Sequence, residues 1–423
     1  MTPDWLALDR RHCWHPYTQH ALDPEPLPIV GARGAWLELA DGRRLLDAIS
    51  SWWAVLHGHA EPALLEVMTR QAATLDHVLF AGCAHEPAAR LAAALVQAAP
   101  RGLEHVFYSD DGSTAVEVAL KAAYLAQRRR RGAARTRFLA LEGGYHGDTF
   151  GAMAVGDPVP FFAELRDLLF DVRRVPCDAD ALRAAFAEDG DRTVALVLEP
   201  LVQGAAGMRP VPAEFVRAAR TLCDRHDTLL VADEVFTGFG RTGALFACDA
   251  AGVAPDLLCL AKGLTGGLFP LAATLATPAV HDAFLAADRS RALFHGHTFT
   301  AHPVGCAIAL RSLELVRERD VPGRLDAIGR RIESGVAGLR AHAAVRDVRR
   351  VGGIVAVELR ADDAGYLAGA GERLRAACRA APHDVLLRPL GGVVYAVPPA
   401  CTTDAECDRI ASALRDVVAA AAG

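Results

Sequence analysis

A primary amine side chain occurs at only two positions in this sequence, Lys121 and Lys262. Chemistry that needs a nucleophilic amine, above all imine formation with a carbonyl, therefore has two candidates. Lys121 lies inside an Ala- and Val-rich helical stretch, four residues after Glu117, where a Glu–Lys pair on a solvated face is expected. Lys262 instead follows an apolar run at 257–260 and opens Gly263-Leu264-Thr265-Gly266-Gly267. The preceding apolar run, at 228–232, ends in Asp233-Glu234-Val235 and a Gly-rich stretch up to Gly243. A lysine and a carboxylate ending successive strands meet the demands of pyridoxal 5′-phosphate (PLP) chemistry. The amine binds the cofactor aldehyde, and the acid keeps the pyridine nitrogen protonated so that the ring can accept electrons. Taken singly, a surface lysine and a helix-capping aspartate are the plainer readings. Their pairing, each followed by glycines, favours the cofactor site.

Two further segments suit the same ligand. Asp111-Gly112-Ser113-Thr114 stands between a strand and a helix, where main-chain N–H groups and hydroxyls can hold a phosphate. The same four residues also make an ordinary turn and N-cap, so they count only beside Lys262 and Asp233. The loop Gly143-Gly144-Tyr145-His146-Gly147-Asp148 follows another strand, and its Tyr145 is placed to cover a ring.

Those residues must be positioned by a scaffold, and the chain between 105 and 260 supplies one. Short β-type runs at 105–108, 137–141, 194–198, 228–232 and 257–260 alternate with helical patterns such as 113–130 and 213–225. This is the signature of an α/β fold with a mainly parallel sheet between helices. Ligands of such sheets sit beyond the carboxyl ends of the strands, where the residues above fall. A long helix at 304–319 and strands around 345–359 and 393–397 change the pattern. We read 50–300 as a large domain, with 1–49 and 301–423 forming a smaller α+β domain.

Bulk properties set the outer limits. With 423 residues, 52% of them hydrophobic, the chain can bury a large core. A net charge of −6 gives no electrostatic case for nucleic acid, and the Arg128–Arg131 run reads as a solvated helix end. Ten scattered cysteines without a CxxC pair fit a reducing compartment. Neither a secretion-type apolar segment nor a membrane-length one is visible, so a cytoplasmic protein without membrane contact is expected. His295 and His297 form an HxH pair, but two histidines without further ligands are weak grounds for a metal, and none is expected.

The segments DDGSTAVEVALK (110–121), EGGYHGDTFGA (142–152), LEPLVQGAAGM (198–208), VADEVFTGFGRTG (231–243) and CLAKGLTGG (259–267) together resemble the class III aminotransferases of PLP fold type I. Trp14 to Gln19, Ser50-Ser51-Trp52-Trp53, Leu264 to Gly267 and Leu387 to Gly391 resemble one branch of that class. Its members aminate 8-amino-7-oxononanoate in biotin synthesis, with S-adenosylmethionine or, in some, lysine as donor, and the sequence leaves that choice open. The resemblance implies catalytic roles for Lys262, Asp233 and Tyr145, and a phosphate loop at Gly112 and Ser113. It implies that His297 and Thr298 reach the cofactor of a neighbouring subunit, hence a homodimer with shared sites. It also implies substrate contacts at Tyr17, Trp52, Trp53, Tyr145, Asp148, Gly296 and Arg388. Arg388 suits the carboxylate of the acceptor, and the aromatics suit its long apolar chain. For Trp53, plain core packing is an equal reading. The chain departs from the branch at His297, where proline is common, and at Asp111, where serine is usual. The nearest alternative within the class is an aminotransferase for ω-amino acids, ornithine or diamines.

Overall fold

The computed structural model describes residues 4–157, 162–360, 369–380 and 384–422, which include every candidate site residue. The apolar runs of the central chain become strands of one seven-stranded sheet. Its spatial order is His105–Ser109, Ala272–Ala276, Leu257–Leu260, Leu229–Asp233, Thr193–Leu198, Arg137–Leu141 and Val172–Val175. The pairings from Leu257–Leu260 to Val172–Val175 are all parallel. Only Ala272–Ala276 runs against both of its neighbours. Every residue of Thr193–Leu198 and Leu229–Asp233 is buried, as expected where helices cover both faces of a parallel sheet.

The helices explain that cover. Gly112–Arg131 buries Ala115, Ala119, Ala123 and Ala126, small side chains that let its backbone lie close to the sheet. Ala213–Arg225 buries Phe215, Val216, Ala219, Leu222 and Cys223 at helical spacing on the opposite side. Two strands escape a reading by pattern. Val172–Val175 carries two arginines, and Ala272–Ala276 is mostly alanine, a residue depleted in strands. Both are held by neighbours rather than by local preference.

The stretch read as strands around 345–359 is a hairpin, Val345–Val351 and Ile354–Leu359, which pairs with Val393–Ala396 in a three-stranded antiparallel sheet. Strands Ile29–Arg33, Trp36–Leu39 and Arg44–Asp47 make another sheet, completed in parallel by Val385–Leu386. The N- and C-terminal parts of the chain are thus hydrogen-bonded to each other. No helix among the described residues is long and apolar enough to cross a membrane.

Two expectations are corrected. Lys121 is exposed, but its Nζ lies 3.0 Å from His295 Nδ1, while Glu117 accepts the Gly151 N–H at 2.6 Å. Glu117 is taken by a main-chain donor, so the expected pair along the helix does not form. The arginine run is not a merely solvated end either. Arg129 donates to the carbonyls of Ala283 and Arg291, and the buried Arg135 donates to those of Thr193 and His226. These cations close carbonyls that the sheet and helix ends leave open.

One buried cation ties the pieces together. Arg241 is 1% exposed and donates to the carbonyls of Trp53, Val55 and Pro398 at 2.9 to 3.2 Å. Burial pulls its proton affinity down to about 10, and the charge of Asp47 works in the other direction. Arg241→Leu would leave three buried carbonyls without their donor, at about 1 kcal/mol or more each. We expect a loss of roughly 3 kcal/mol, read as a lower midpoint in urea unfolding. An unchanged midpoint would show that Arg241 holds nothing.

Candidate active site

Four functional segments emerge at one edge of the seven-stranded sheet because four parallel strands end there. Asp233 is the last residue of its strand and pairs in register with Cys259 of the next. Lys262 follows just beyond Leu257–Leu260, in a single turn at Lys262–Thr265. Its backbone φ is +43°, a left-handed conformation that a non-glycine residue adopts only where its surroundings enforce it. Lys262 is half-buried, and its Nζ stands 5.1 Å from the centroid of the Trp53 ring. Burial lowers its affinity for a proton, and the charges of Asp233 and Glu199 work against that. A lysine so placed is a better nucleophile at neutral pH than one in water.

Asp233 is anchored on both oxygens. Oδ2 takes a 2.7 Å hydrogen bond from His146 Nδ1, and Oδ1 accepts the Val235 N–H at 3.0 Å. The neighbouring acid is turned elsewhere. Glu234 accepts the N–H groups of Ala247 and Cys248, at the start of a short helix, and burial pushes it up to about 7. Only Asp233 of the pair belongs to this site. His146 is buried; burial disfavours its charge, but the hydrogen bond it donates to Asp233 and the charge of that carboxylate, with that of Glu199, raise its proton affinity overall.

The loop after Arg137–Leu141 carries Tyr145 and His146 on one side and Asp148 on the other. Tyr145 Oη donates to Asp148 Oδ1 at 2.9 Å, and Tyr17 Oη donates to both Asp148 oxygens at 2.8 Å. The two phenol oxygens are 3.2 Å apart. Burial, then Tyr17 and Asp148, raise the Tyr145 phenol well above its ordinary range, so it remains a donor. Tyr17 in turn meets Trp52 edge to face at 5.6 Å, and the Arg388 guanidinium lies 4.9 Å from the Trp52 centroid. No acceptor among the described residues takes a hydrogen bond from Arg388, which leaves its planar donor fork available.

The two tryptophans occupy different worlds. Ser50–Trp53 forms one turn in which all four residues have positive φ, from +43° to +72°. This left-handed turn directs Trp52 outward, 40% exposed, and Trp53 inward, 4% exposed. Trp53 donates from Nε1 to Tyr395 Oη at 3.1 Å and packs 4.5 Å from Phe236. Both readings of Trp53 meet in one residue: it is core, and its ring face lies beneath Lys262. Strain of this kind costs about 1 kcal/mol or more per residue. Asp47 offsets it by accepting the N–H groups of Ile49 and Ser51 and the Ser51 hydroxyl. Although burial favours the neutral acid, hydrogen bonds from His59 and Ser51 hold Asp47 below the usual carboxylate range.

The expected phosphate loop adjoins this cluster. Asp111 caps the helix Gly112–Arg131 in a reciprocal box with Thr114, and Ser113 Oγ donates to Asp111 Oδ1 at 2.8 Å. A Cβ on Gly112 would stand 2.5 Å from Val235 Cγ1, and one on Gly147 would overlap Ser113. The Tyr145 loop, the residues beyond Asp233 and the helix start are therefore packed together through glycines. His297 Nδ1 lies 2.8 Å from Asp110 Oδ2, which brings the HxH segment against the lead-in to this loop. The two histidines of that segment face different partners, Lys121 and Asp110, rather than a common point. Gly296 and Thr298 are exposed on the same segment, and no hydrogen bond or ring contact joins them to the cluster among the described residues.

These residues fit PLP. A desolvated lysine, an anchored buried carboxylate and a side-chain-free helix start with hydroxyls are the donor set that its aldehyde, ring nitrogen and phosphate require. Sequence reading missed His146, Glu199, Asp47 and Arg241. For the first two a signal existed, since both are polar residues placed just after strands of the same sheet.

Comparison with known proteins agrees with this geometry. Residues 17–418 match the family model described as aminotransferase class-III. A relative from Synechococcus elongatus, named adenosylmethionine-8-amino-7-oxononanoate aminotransferase, is 46% identical over 96% of this chain and 98% of its own length. A crystal structure of the protein of that name from Methanocaldococcus jannaschii superposes with a TM-score of 0.93 at 34% identity, covering 98% of each chain. An amine transaminase from an uncultivated Pseudomonas species, in its PLP-bound form, superposes at 0.89 with 33% identity over 96% of this chain and 98% of its own.

The glycine contacts give a test. Gly147 has a φ of +119°, so Gly147→Ala combines backbone strain with a clash against Ser113. The variant should retain PLP at least about tenfold more weakly, measured by dialysis against free cofactor. Wild-type retention would separate the two loops functionally.

Proposed function

Because the chain belongs to the class III aminotransferases, which use PLP, we propose that it transfers an amino group from S-adenosylmethionine to 8-amino-7-oxononanoate. The product is 7,8-diaminononanoate, an intermediate of biotin synthesis. The observation that carries this reading is the cluster of aromatic and charged side chains around Trp52. Tyr17, Tyr145 and Asp148 are joined by hydrogen bonds, and Arg388 lies over Trp52 with no acceptor among the described residues. An apolar chain with a terminal carboxylate fits between an aromatic surface and a free guanidinium. A cationic donor fits beside the Asp148 carboxylate and aromatic faces.

When bound, PLP supplies a protonated pyridine ring that takes up the electron pair released from the donor's Cα–H bond. Lys262 would hold the aldehyde carbon of the cofactor, and its desolvated amine would carry the proton from one substrate carbon to the next. Asp233 would face the ring nitrogen and keep it protonated, its carboxylate held in place by His146 and the Val235 N–H. Gly112 and Ser113 would hold the phosphate, with His297 and Thr298 contributed across a homodimer interface. Tyr145 would cover the ring, and Trp53 would limit how far Lys262 swings. Gly296, Trp52 and Arg388 would line the acceptor path.

The same reading includes a cytoplasmic homodimer, with 50–300 as the large domain and 1–49 with 301–423 as the small one. Ten unpaired thiols suit a reducing compartment. Exposed Phe294 and Phe299, flanking His295 to Thr298, suit a surface covered by a second copy.

Since only two lysines exist, borohydride reduction of the holoenzyme and peptide mapping should place the cofactor on Lys262 and leave Lys121 free. Lys262→Ala should lose turnover by about a thousandfold or more; full activity would sink the assignment. Arg388→Ala should raise KM for 8-amino-7-oxononanoate by about tenfold with the donor half-reaction unchanged. An unchanged KM would place the carboxylate elsewhere. Bleaching of the cofactor band by S-adenosylmethionine, but not by lysine or ω-amino acids, decides the donor.

A further inference from the structure

Glu199 directly follows the buried strand Thr193–Leu198, at the same sheet edge as Asp233 and Lys262. It is 5% exposed, and both of its oxygens are used by main-chain donors. Oε1 accepts the N–H of Tyr145 at 3.1 Å, and Oε2 accepts the N–H of Gly204 at 2.9 Å. One carboxylate therefore bridges two loops. The first carries Tyr145, His146 and Asp148. The second packs Gly204 so tightly that a Cβ there would stand 2.9 Å from Phe236 and 3.2 Å from Trp53, the ring beneath Lys262.

We propose that Glu199 is a positioning residue of the site. It locks the Tyr145–His146 loop against the Gly204 turn, and acts through His146 and Lys262 on the charge of the catalytic pair. The proposal rests on the aminotransferase reading above. Glu199 accepts the N–H of Tyr145, the residue before His146, and His146 Nδ1 lies 2.7 Å from Asp233 Oδ2. Glu199, His146 and Asp233 are all buried, so each charge is felt strongly by the next. Burial pushes Glu199 up to about 7; His146 pulls it back, Asp233 pushes it further, and the Gly204 and Tyr145 N–H groups favour its anion. In return, the charge of Glu199 favours the protonated forms of His146 and Lys262. The titratable groups whose charges reach it are His146, Asp233 and Lys262, each carried at or just beyond the end of a different strand.

A residue that merely filled space would not alter the titration of Lys262. Glu199→Gln keeps the volume and removes the charge. It also replaces one acceptor oxygen by an amide that cannot take an N–H. Loss of a nearby negative charge lowers the affinity of Lys262 for its proton. The pH midpoint of the cofactor absorbance change, followed without substrate in purified holoenzyme, should therefore fall by about half a unit or more. The donor half-reaction should slow by about tenfold, with KM changed less than about threefold. Glu199→Asp retains the charge but shortens the reach. It should leave the midpoint near wild type and still slow the half-reaction.

A wild-type midpoint together with a wild-type rate in Glu199→Gln would overturn the proposal. If that variant does not fold, Glu199→Asp carries the test alone, and a wild-type rate in it would overturn the positioning role. The titration needs bound PLP but no substrate. A wild-type enzyme that binds PLP yet ignores S-adenosylmethionine would thus refute the donor assignment and leave the role of Glu199 standing.

Discussion

Lys262 and Asp233 are both withdrawn from water at one edge of a parallel sheet, and neither can stay there alone. Moving an isolated charge into a protein interior costs several kcal/mol, so a buried carboxylate persists as an anion only where donors are fixed around it. His146 and the Val235 N–H are those donors for Asp233. Lys262 answers the same constraint differently: its amine is desolvated over the Trp53 face, and burial favours the neutral form that reacts with carbonyls. The rest of the site exists to hold this arrangement and to present a substrate to it.

Holding it requires strained backbone, and the surrounding fold supplies the compensation. Four consecutive left-handed residues at Ser50–Trp53 send adjacent tryptophans to opposite sides of the wall. Asp47 bonds the turn from below, Ser50 Oγ donates to the Val397 carbonyl, and Arg241 gathers the carbonyls of Trp53 and Val55 with that of Pro398. Residues near 50, 241 and 397 are thereby joined in one buried network. A turn of this kind could not persist in an isolated peptide, because nothing there would offset its steric cost.

The outer wall shows how recognition is built on the same frame. Asp148 takes both tyrosine hydroxyls, which fixes the orientation of Tyr17 and Tyr145. Arg388 is held over the Trp52 ring, and among the described residues no carboxylate pairs with it. His297 makes a contact with Asp110, just before the helix start at Gly112. That contact gives the chain its own link between the segment bearing Thr298 and the helix start at Gly112.

Much of this was legible in the sequence. Apolar runs that end in polar residues announced the parallel sheet, and the strand-end rule picked out Asp233, Lys262 and the Tyr145 loop, because a single chain direction fixes which end faces a ligand. The family motifs added Arg388, Tyr17 and Trp52 by resemblance, where spacing alone said nothing. Other features depend on residues far apart in the chain, so no local pattern contains them. Val172–Val175 and Ala272–Ala276 are strands only because neighbours pair with them, and Glu117 turns to Gly151 rather than to Lys121. Residue types and order determined that an amine and an acid would end adjacent strands. Only the tertiary structure decided which groups keep them dehydrated, charged and aimed, since burial and hydrogen-bond partners are properties of the packed chain and not of its order.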